Sequence, residues 1–267
     1  MTGIENITRA FERSEAEDRA ALMPYFTLGY PTEVESIAII KRIAESGADL
    51  IELGIPFSDP LADGPTIQRS TQVALDGGIT VMGCLSMTAR LRDMGVDQPL
   101  ILMGYINPIL AYGMERFVEH ASGAGADGFI VPDLPVEEAD AMQTACMEHQ
   151  MALIHMLALT SGESRIQQVV GKSTGFVYLV SVKGVTGARR GISGPLEEFV
   201  DSVRIATNLP LAVGFGIGTP EQAKMIGRFA DGVIVGSALI NAVDESQDRV
   251  AAAGKFVNLL SRALRSG

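Results

Sequence analysis

The sequence predicts an α/β fold: a single (β/α)8 TIM barrel spanning residues 1–267, with one extra helix ahead of the first strand. Three observations carry that expectation. Eight short apolar runs alternate with longer amphipathic stretches from end to end, as repeated strand–helix units around a parallel sheet require. The length of 267 residues matches one such barrel, although two small domains would also fit in it. No Ser/Gly/Pro-rich linker and no shift in composition divides the chain, so no domain boundary is expected.

Taken in order, a helical pattern over residues 4–13 precedes the first strand and is expected to cap the N-terminal end of the barrel, the alternative being a frayed terminus. The strands follow at 23–27, 50–53, 100–104, 128–131, 152–157, 176–180, 211–213 and 232–235, each succeeded by a helical pattern. A weak internal repeat supports this count: Gly47-Ala48-Asp49 precedes the second strand, Gly125-Ala126-Asp127 the fourth, and Ala230-Asp231 the eighth. Glycine there can end a helix in the left-handed conformation, and alanine lets helix and strand approach closely. The repeat therefore reads as structural rather than catalytic. Long polar insertions follow the second strand (56–65) and the sixth (182–194). Loops at the C-terminal ends of barrel strands build active sites, which makes these two the places to look.

Bulk properties narrow the function classes. With 47% hydrophobic and 20% charged residues, the chain has material for one large core. Its net charge of -11, from 32 acidic against 21 basic residues, disfavours nucleic acid and anionic membranes as partners. Arg189-Arg190 is the densest basic pair and reads as a solvated loop face, with attraction of an anionic substrate as the alternative. Cys84 and Cys146 lie far apart without metal-ligand spacing, so neither a disulfide framework nor a zinc site is expected, and a reducing cytoplasm is the simpler location. The first residues are too polar for a signal peptide, and no apolar run approaches the ~20 residues that span a bilayer.

Chemistry is expected where polar groups interrupt this scaffold. Glu52 places a carboxylate inside the apolar run of the second strand, facing either the lumen or the helices. At the barrel mouth, burial would raise its pKa and keep it protonated near neutrality, as a general acid requires; a buried glutamate paired with a base or with backbone amides is the alternative. In the loop that follows, Asp63 is either a second catalytic carboxylate or a cap for the next helix. Asp59, ahead of Pro60, reads as a turn former or partner contact.

Late in the chain, glycines cluster at three strand-to-helix junctions: 184–187, 214–218 and 236–237. Accessible backbone N–H groups with a helix N-terminus behind them form a phosphate cradle. The string GFGIG lacks the G-x-G-x-x-G spacing and follows the seventh strand rather than the first, which excludes a Rossmann reading. His120 and His149 fall in helical patterns and read as surface residues; His155, in the fifth strand, lacks a nucleophile or metal motif and reads as structural. Tyr105 and Tyr178, near strand ends, line a pocket or pack in the core.

Residues 51–68, IELGIPFSDPLADGPTIQ, resemble the signature of the tryptophan synthase α family. Further resemblance comes from PYFTLGYP (24–31), VPDLPV (131–136), YLVSVKGVTG (178–187), GFGIG (214–218) and GSA (236–238), so it covers nearly the whole chain in order. It implies a lyase of tryptophan biosynthesis that cleaves indole-3-glycerol phosphate by a retro-aldol step into indole and glyceraldehyde 3-phosphate. By motif, Glu52 and Asp63 resemble the family's catalytic pair. Tyr178, Tyr25, Tyr105, Asp133 and Thr186 fall at its substrate-pocket positions, with Thr186 in a loop resembling its mobile lid. Gly187, Gly216, Gly236 and Ser237 resemble its phosphate-binding positions.

The resemblance further implies no metal and no cofactor in this chain, with pyridoxal phosphate held by a β-subunit partner in an α2β2 heterotetramer. Pro56, Asp59 and Pro60 are the expected contact with that partner. One departure is Val182-Lys183, where some members carry an arginine–alanine pair. The competing readings are a Schiff-base aldolase, for which no predicted strand supplies a lysine, another phosphate-binding isomerase on the same fold, and a regulatory subunit whose role is docking.

Overall fold

The computed structural model describes residues 2–181, 193–214 and 216–265. Among these, nine strands form one parallel sheet: β1 (Ala21–Thr27), β2 (Ile51–Gly54), β3 (Leu100–Met103), β4 (Gly128–Ile130), β5 (Ala152–Ile154), β6 (Met156–Ala158), β7 (Val177–Val180), β8 (Leu211–Gly214) and β9 (Gly232–Val235). Their order is β5-β4-β3-β2-β1-β9-β8-β7-β6, with every pair parallel. Helices alternate with the strands and cover the outer face. Because both faces are covered, β1 is buried along its whole length and reads as a continuous apolar run rather than an alternating one.

The eight expected strands are all present, with bounds shifted by at most two residues except in the fifth. That strand, expected unbroken over 152–157, is interrupted at His155: β5 pairs with β4, whereas β6 pairs with β7. The interruption is where backbone pairing passes from one neighbour to the other. Since the chain runs straight through His155, whose carbonyl accepts the Tyr178 N–H at 3.1 Å, the two ends of the sheet meet and the barrel closes.

The N-terminal helix, Gly3–Ala16, starts in a capping box of Thr2 and Glu5 and buries Ile7, Ala10 and Phe11. Phe11 lies 5.7 Å from Phe176, just ahead of β7, and the Gly3 N–H donates to the Gln150 carbonyl at 3.1 Å. The helix therefore plugs the N-terminal end of the barrel, as expected, and is not a frayed end.

The Gly-Ala-Asp repeat has a function that its sequence did not disclose. Asp49, Asp127 and Asp231 accept the backbone N–H groups of Leu22, Leu100 and Leu211 at 2.9, 2.8 and 2.7 Å. Each carboxylate also pairs with an arginine, respectively Arg19, Arg92 and Arg204. Three charge-assisted latches thus fasten strand starts at the end of the barrel opposite the mouth. That leaves the other end free to carry chemistry.

Candidate active site

Glu52 lies on β2 between Tyr25 of β1 and Ile101 of β3. It is only 1% exposed, and its Oε2 has no hydrogen-bond partner among the described residues. Burial, and then the negative charge of Asp63, push its pKa up to about 8. Its carboxyl is therefore mostly protonated at pH 7. Among the described residues no basic group contributes to this shift, which speaks against a glutamate neutralised by a basic partner.

The direction of Glu52 follows from what feels its charge. After burial, Glu52 is the largest influence on the Tyr178 hydroxyl, although three strands, β1, β9 and β8, separate β2 from β7 around the sheet. Tyr25 is held in the same field by Asp63 and Glu52. Groups this far apart along the ring meet only by projecting into the lumen. Glycine ends the strands beneath both phenols: a Cβ on Gly54 would lie 2.0 Å from the Tyr25 hydroxyl, and one on Gly214 would lie 2.2 Å from that of Tyr178. No larger residue leaves the two tyrosines where they are.

Asp63 sits in the loop after β2, partly buried. Burial pushes its pKa up to about 6, while a hydrogen bond from the Tyr105 hydroxyl pulls the other way. It does not cap the next helix, Pro65–Asp76: the cap is Gly64, without a side-chain bond. The capping alternative for Asp63 therefore falls away. Tyr105 organises this loop, since its oxygen also accepts the Ala62 N–H at 3.1 Å and its ring lies 5.5 Å from Phe57. Asp133 accepts the Ile106 N–H at 2.9 Å at the start of the helix that Tyr105 caps, and so steadies Tyr105. The mouth thus presents two carboxyls in unlike environments, one mostly neutral and one mostly ionised at pH 7.

Across the mouth, the helix Ser237–Asp244 begins at Gly236 with no side-chain cap, leaving its positive end open, and Ser237 is exposed there. A Cβ on Gly236 would lie 3.3 Å from the Tyr25 side chain, so this helix end adjoins the cross-strand neighbour of Glu52. Gly216 is exposed with a left-handed φ of 80°. The neighbouring Gly218 is packed against the same helix, but its N–H is already taken by the Gln222 side chain at 2.8 Å. Thr186 and Gly187 lie outside the described residues.

Other expectations divide. Asp59 is exposed and bonded by Ser58, and Pro60 is half-exposed, whereas Pro56 is buried and offers no surface to a partner, because it is packed where β2 enters the loop. Beside them, Leu61 is 88% exposed. His120 is exposed on its helix and His149, just past the end of the helix Asp140–Glu148, is half-buried; His155 is buried at the strand break. Sequence reasoning missed a buried hydroxyl chain from Tyr25 to Thr27 (3.4 Å), then Ser70 (2.7 Å), then the Ile67 carbonyl (2.8 Å). Isolated Ser and Thr carry no spacing signal that could have revealed it. Among the described residues no group of His, Cys, Asp and Glu is arranged to hold a metal, and no helix is long and apolar enough to cross a membrane.

Comparison with known proteins agrees with this geometry. The family described as tryptophan synthase alpha chain matches residues 11–265. The tryptophan synthase alpha chain of Chloroflexus aurantiacus is 47% identical over 98% of this chain and 99% of its own. Among solved structures, tryptophan synthase subunit alpha from Legionella pneumophila superposes with a TM-score of 0.91 at 37% identity, covering 98% of this chain and 99% of that one. A chain of tryptophan synthase from M. tuberculosis gives 0.90 at 36% identity, with the same coverage.

Proposed function

The chain belongs to the tryptophan synthase alpha chain family, a lyase family that cleaves indole-3-glycerol phosphate to indole and glyceraldehyde 3-phosphate, and from that premise we propose that Glu52 is the proton donor of the cleavage. The observation that carries this reading is the buried, unpaired and mostly protonated carboxyl of Glu52 at the barrel mouth.

Glu52 delivers its proton to indole C3, which turns the ring into an electron sink. The C3′ hydroxyl then returns a proton to Glu52 as the C3–C3′ bond breaks. The electrons of that bond flow back into the ring, releasing indole and an aldehyde with the acid regenerated. Asp63, mostly ionised, stabilises the positive charge that develops at the indole N–H. Tyr25, Tyr105 and Tyr178 wall the indole pocket, to which Thr186 belongs by motif, and Asp133 holds Tyr105 in place. Gly187, Gly216, Gly236 and Ser237 cradle the phosphate at the open helix end, and this remote binding positions the reacting carbons.

This chemistry needs no cofactor in the chain, which acts as one barrel domain in the cytoplasm. Indole passes to a β subunit that carries pyridoxal phosphate, within an α2β2 assembly. Asp59 and Pro60, beside the exposed Leu61, face that partner, while buried Pro56 holds the loop's shape. A Schiff-base aldolase is disfavoured because no described strand contains a lysine.

The test is an indole-release assay with indole-3-glycerol phosphate, with and without β subunit. The chain releases indole alone and faster with the partner. Glu52→Gln lowers turnover by about 100-fold or more while still binding substrate. Near-normal turnover in that variant would overturn the assignment.

A further inference from the structure

Two helices at the mouth carry the two halves of the site. Asp63 is fastened to the helix Pro65–Asp76, because Gln68 on that helix donates its side-chain amide to the Asp63 carbonyl at 2.9 Å. The open end at Gly236 and Ser237 belongs to the helix Ser237–Asp244. These helices touch. A Cβ on Gly236 would lie 3.5 Å from Ile67 Cδ1, Thr66 donates to the Asn241 side chain over 3.4 Å, and Arg69 pairs with Asp244. Residues three apart on one helix thus meet residues three apart on the other, so the two run side by side in the same direction.

Asp244 stands out in this contact. As the last residue of its helix it sits at the negative end of the dipole, where a carboxylate is disfavoured unless it is paired. Two groups pair it: the Arg69 guanidinium on one oxygen and, on the other, the hydroxyl of Tyr30 from the loop after β1. Tyr30 is 6% exposed and the Asp244 side chain 20%, against 55% for Arg69, so the junction is anchored in the interior and reaches out to one solvated partner. It ties the loop after β1 and both helices together at one carboxylate.

We propose that Arg69 and Asp244 are positioning residues that set the distance between the Asp63 carboxylate and the phosphate cradle, acting through the paired helices that carry each half. The role rests on the function proposed above, in which one substrate spans both. A ligand that spans two half-sites is sensitive to their separation, whereas one that fills a single half is not. That difference separates positioning from general support of the fold.

The probes are indole-3-propanol phosphate, which has both ends of the substrate but no C3′ hydroxyl and is not cleaved, and inorganic phosphate, which fills one end. Calorimetry on the full chain is expected to show Arg69→Ala binding the spanning ligand about three- to fivefold more weakly, and Asp244→Ala, which frees Tyr30 as well, about tenfold. Inorganic phosphate stays within about twofold of the parent in both. The double variant is no weaker than Asp244→Ala alone, as expected of two members of one junction, and Arg69→Lys recovers most of the affinity. Arg69 is more than half exposed, so Arg69→Ala keeps the fold and decides the matter whatever Asp244→Ala does to stability. Unchanged affinity for the spanning ligand in Arg69→Ala, or phosphate binding lost in step with it, overturns the role. If these binding effects hold but the parent releases no indole, the proposed cleavage fails and the positioning role stands; if indole is released and the effects are absent, the role alone fails.

Discussion

At the scale of single residues, the site depends on placing a carboxyl where water does not reach. A charged residue inside an apolar strand is conspicuous, which is why Glu52 was legible from the sequence, although strand alternation alone left open which face it occupied. Its raised pKa carries a stability consequence with a definite sign. The folded state, with a pKa of about 8, keeps a proton that the unfolded chain, at the ordinary glutamate value of 4.5, has released. Stability is therefore lost as pH rises through that window. Glu52→Gln removes this dependence: at pH 8 its unfolding free energy exceeds that of the parent by on the order of 3 kcal/mol, and the gain vanishes toward pH 4. Denaturant melts at several pH values check this, and a gain independent of pH would contradict it. Asp63 was less legible, since an aspartate near a helix start fits capping as well as catalysis, and Gly64 as the helix cap removes only the first of these.

At the scale of elements, strand ends and turns hold the reactive groups in position. A Cβ on Gly54 would meet the Tyr25 hydroxyl, so Gly54→Ala is expected to destabilise the chain by about 1–3 kcal/mol and to displace the phenol from the mouth. Adding Tyr25→Leu to that variant removes the ring, whose hydroxyl, Cζ and Cε2 all lie within 3 Å of that Cβ, and so recovers part of the stability without restoring activity. Thermal melts and indole release on the single and double variants check the pair of effects. The Gly-Ala-Asp turns were legible as helix ends but not as latches, because nothing local to Asp49 announces Leu22 and Arg19, 27 and 30 residues away. Asp49→Ala leaves the Leu22 N–H unpaired and the buried Arg19 with Glu17 as its remaining carboxylate partner. It is expected to cost about 3 kcal/mol in chemical denaturation, while turnover stays near normal because the latch lies at the end opposite the mouth.

At the scale of the whole molecule, the alternation of apolar runs and helical patterns was enough to read the barrel, since each strand is covered on both faces and announces itself as a continuous apolar segment. The break at His155 was not readable. A one-residue change of backbone partner leaves the side-chain pattern of residues 152–157 intact, and only closure of the ring requires it. Assembly has its own expectation: Asp59→Ala reduces activation by the β subunit several-fold and leaves the chain's unassisted cleavage unchanged, as measured by indole release over a range of partner concentrations. The barrel, its latches and its glycine-ended strands converge on keeping one carboxylic acid protonated at the mouth, and the pH dependence of kcat/KM tests that most directly. Activity is predicted to fall above about pH 8, the pKa of Glu52, along a one-proton limb. A profile that stays flat from neutrality to well above that value would contradict the assignment of Glu52 as the acid.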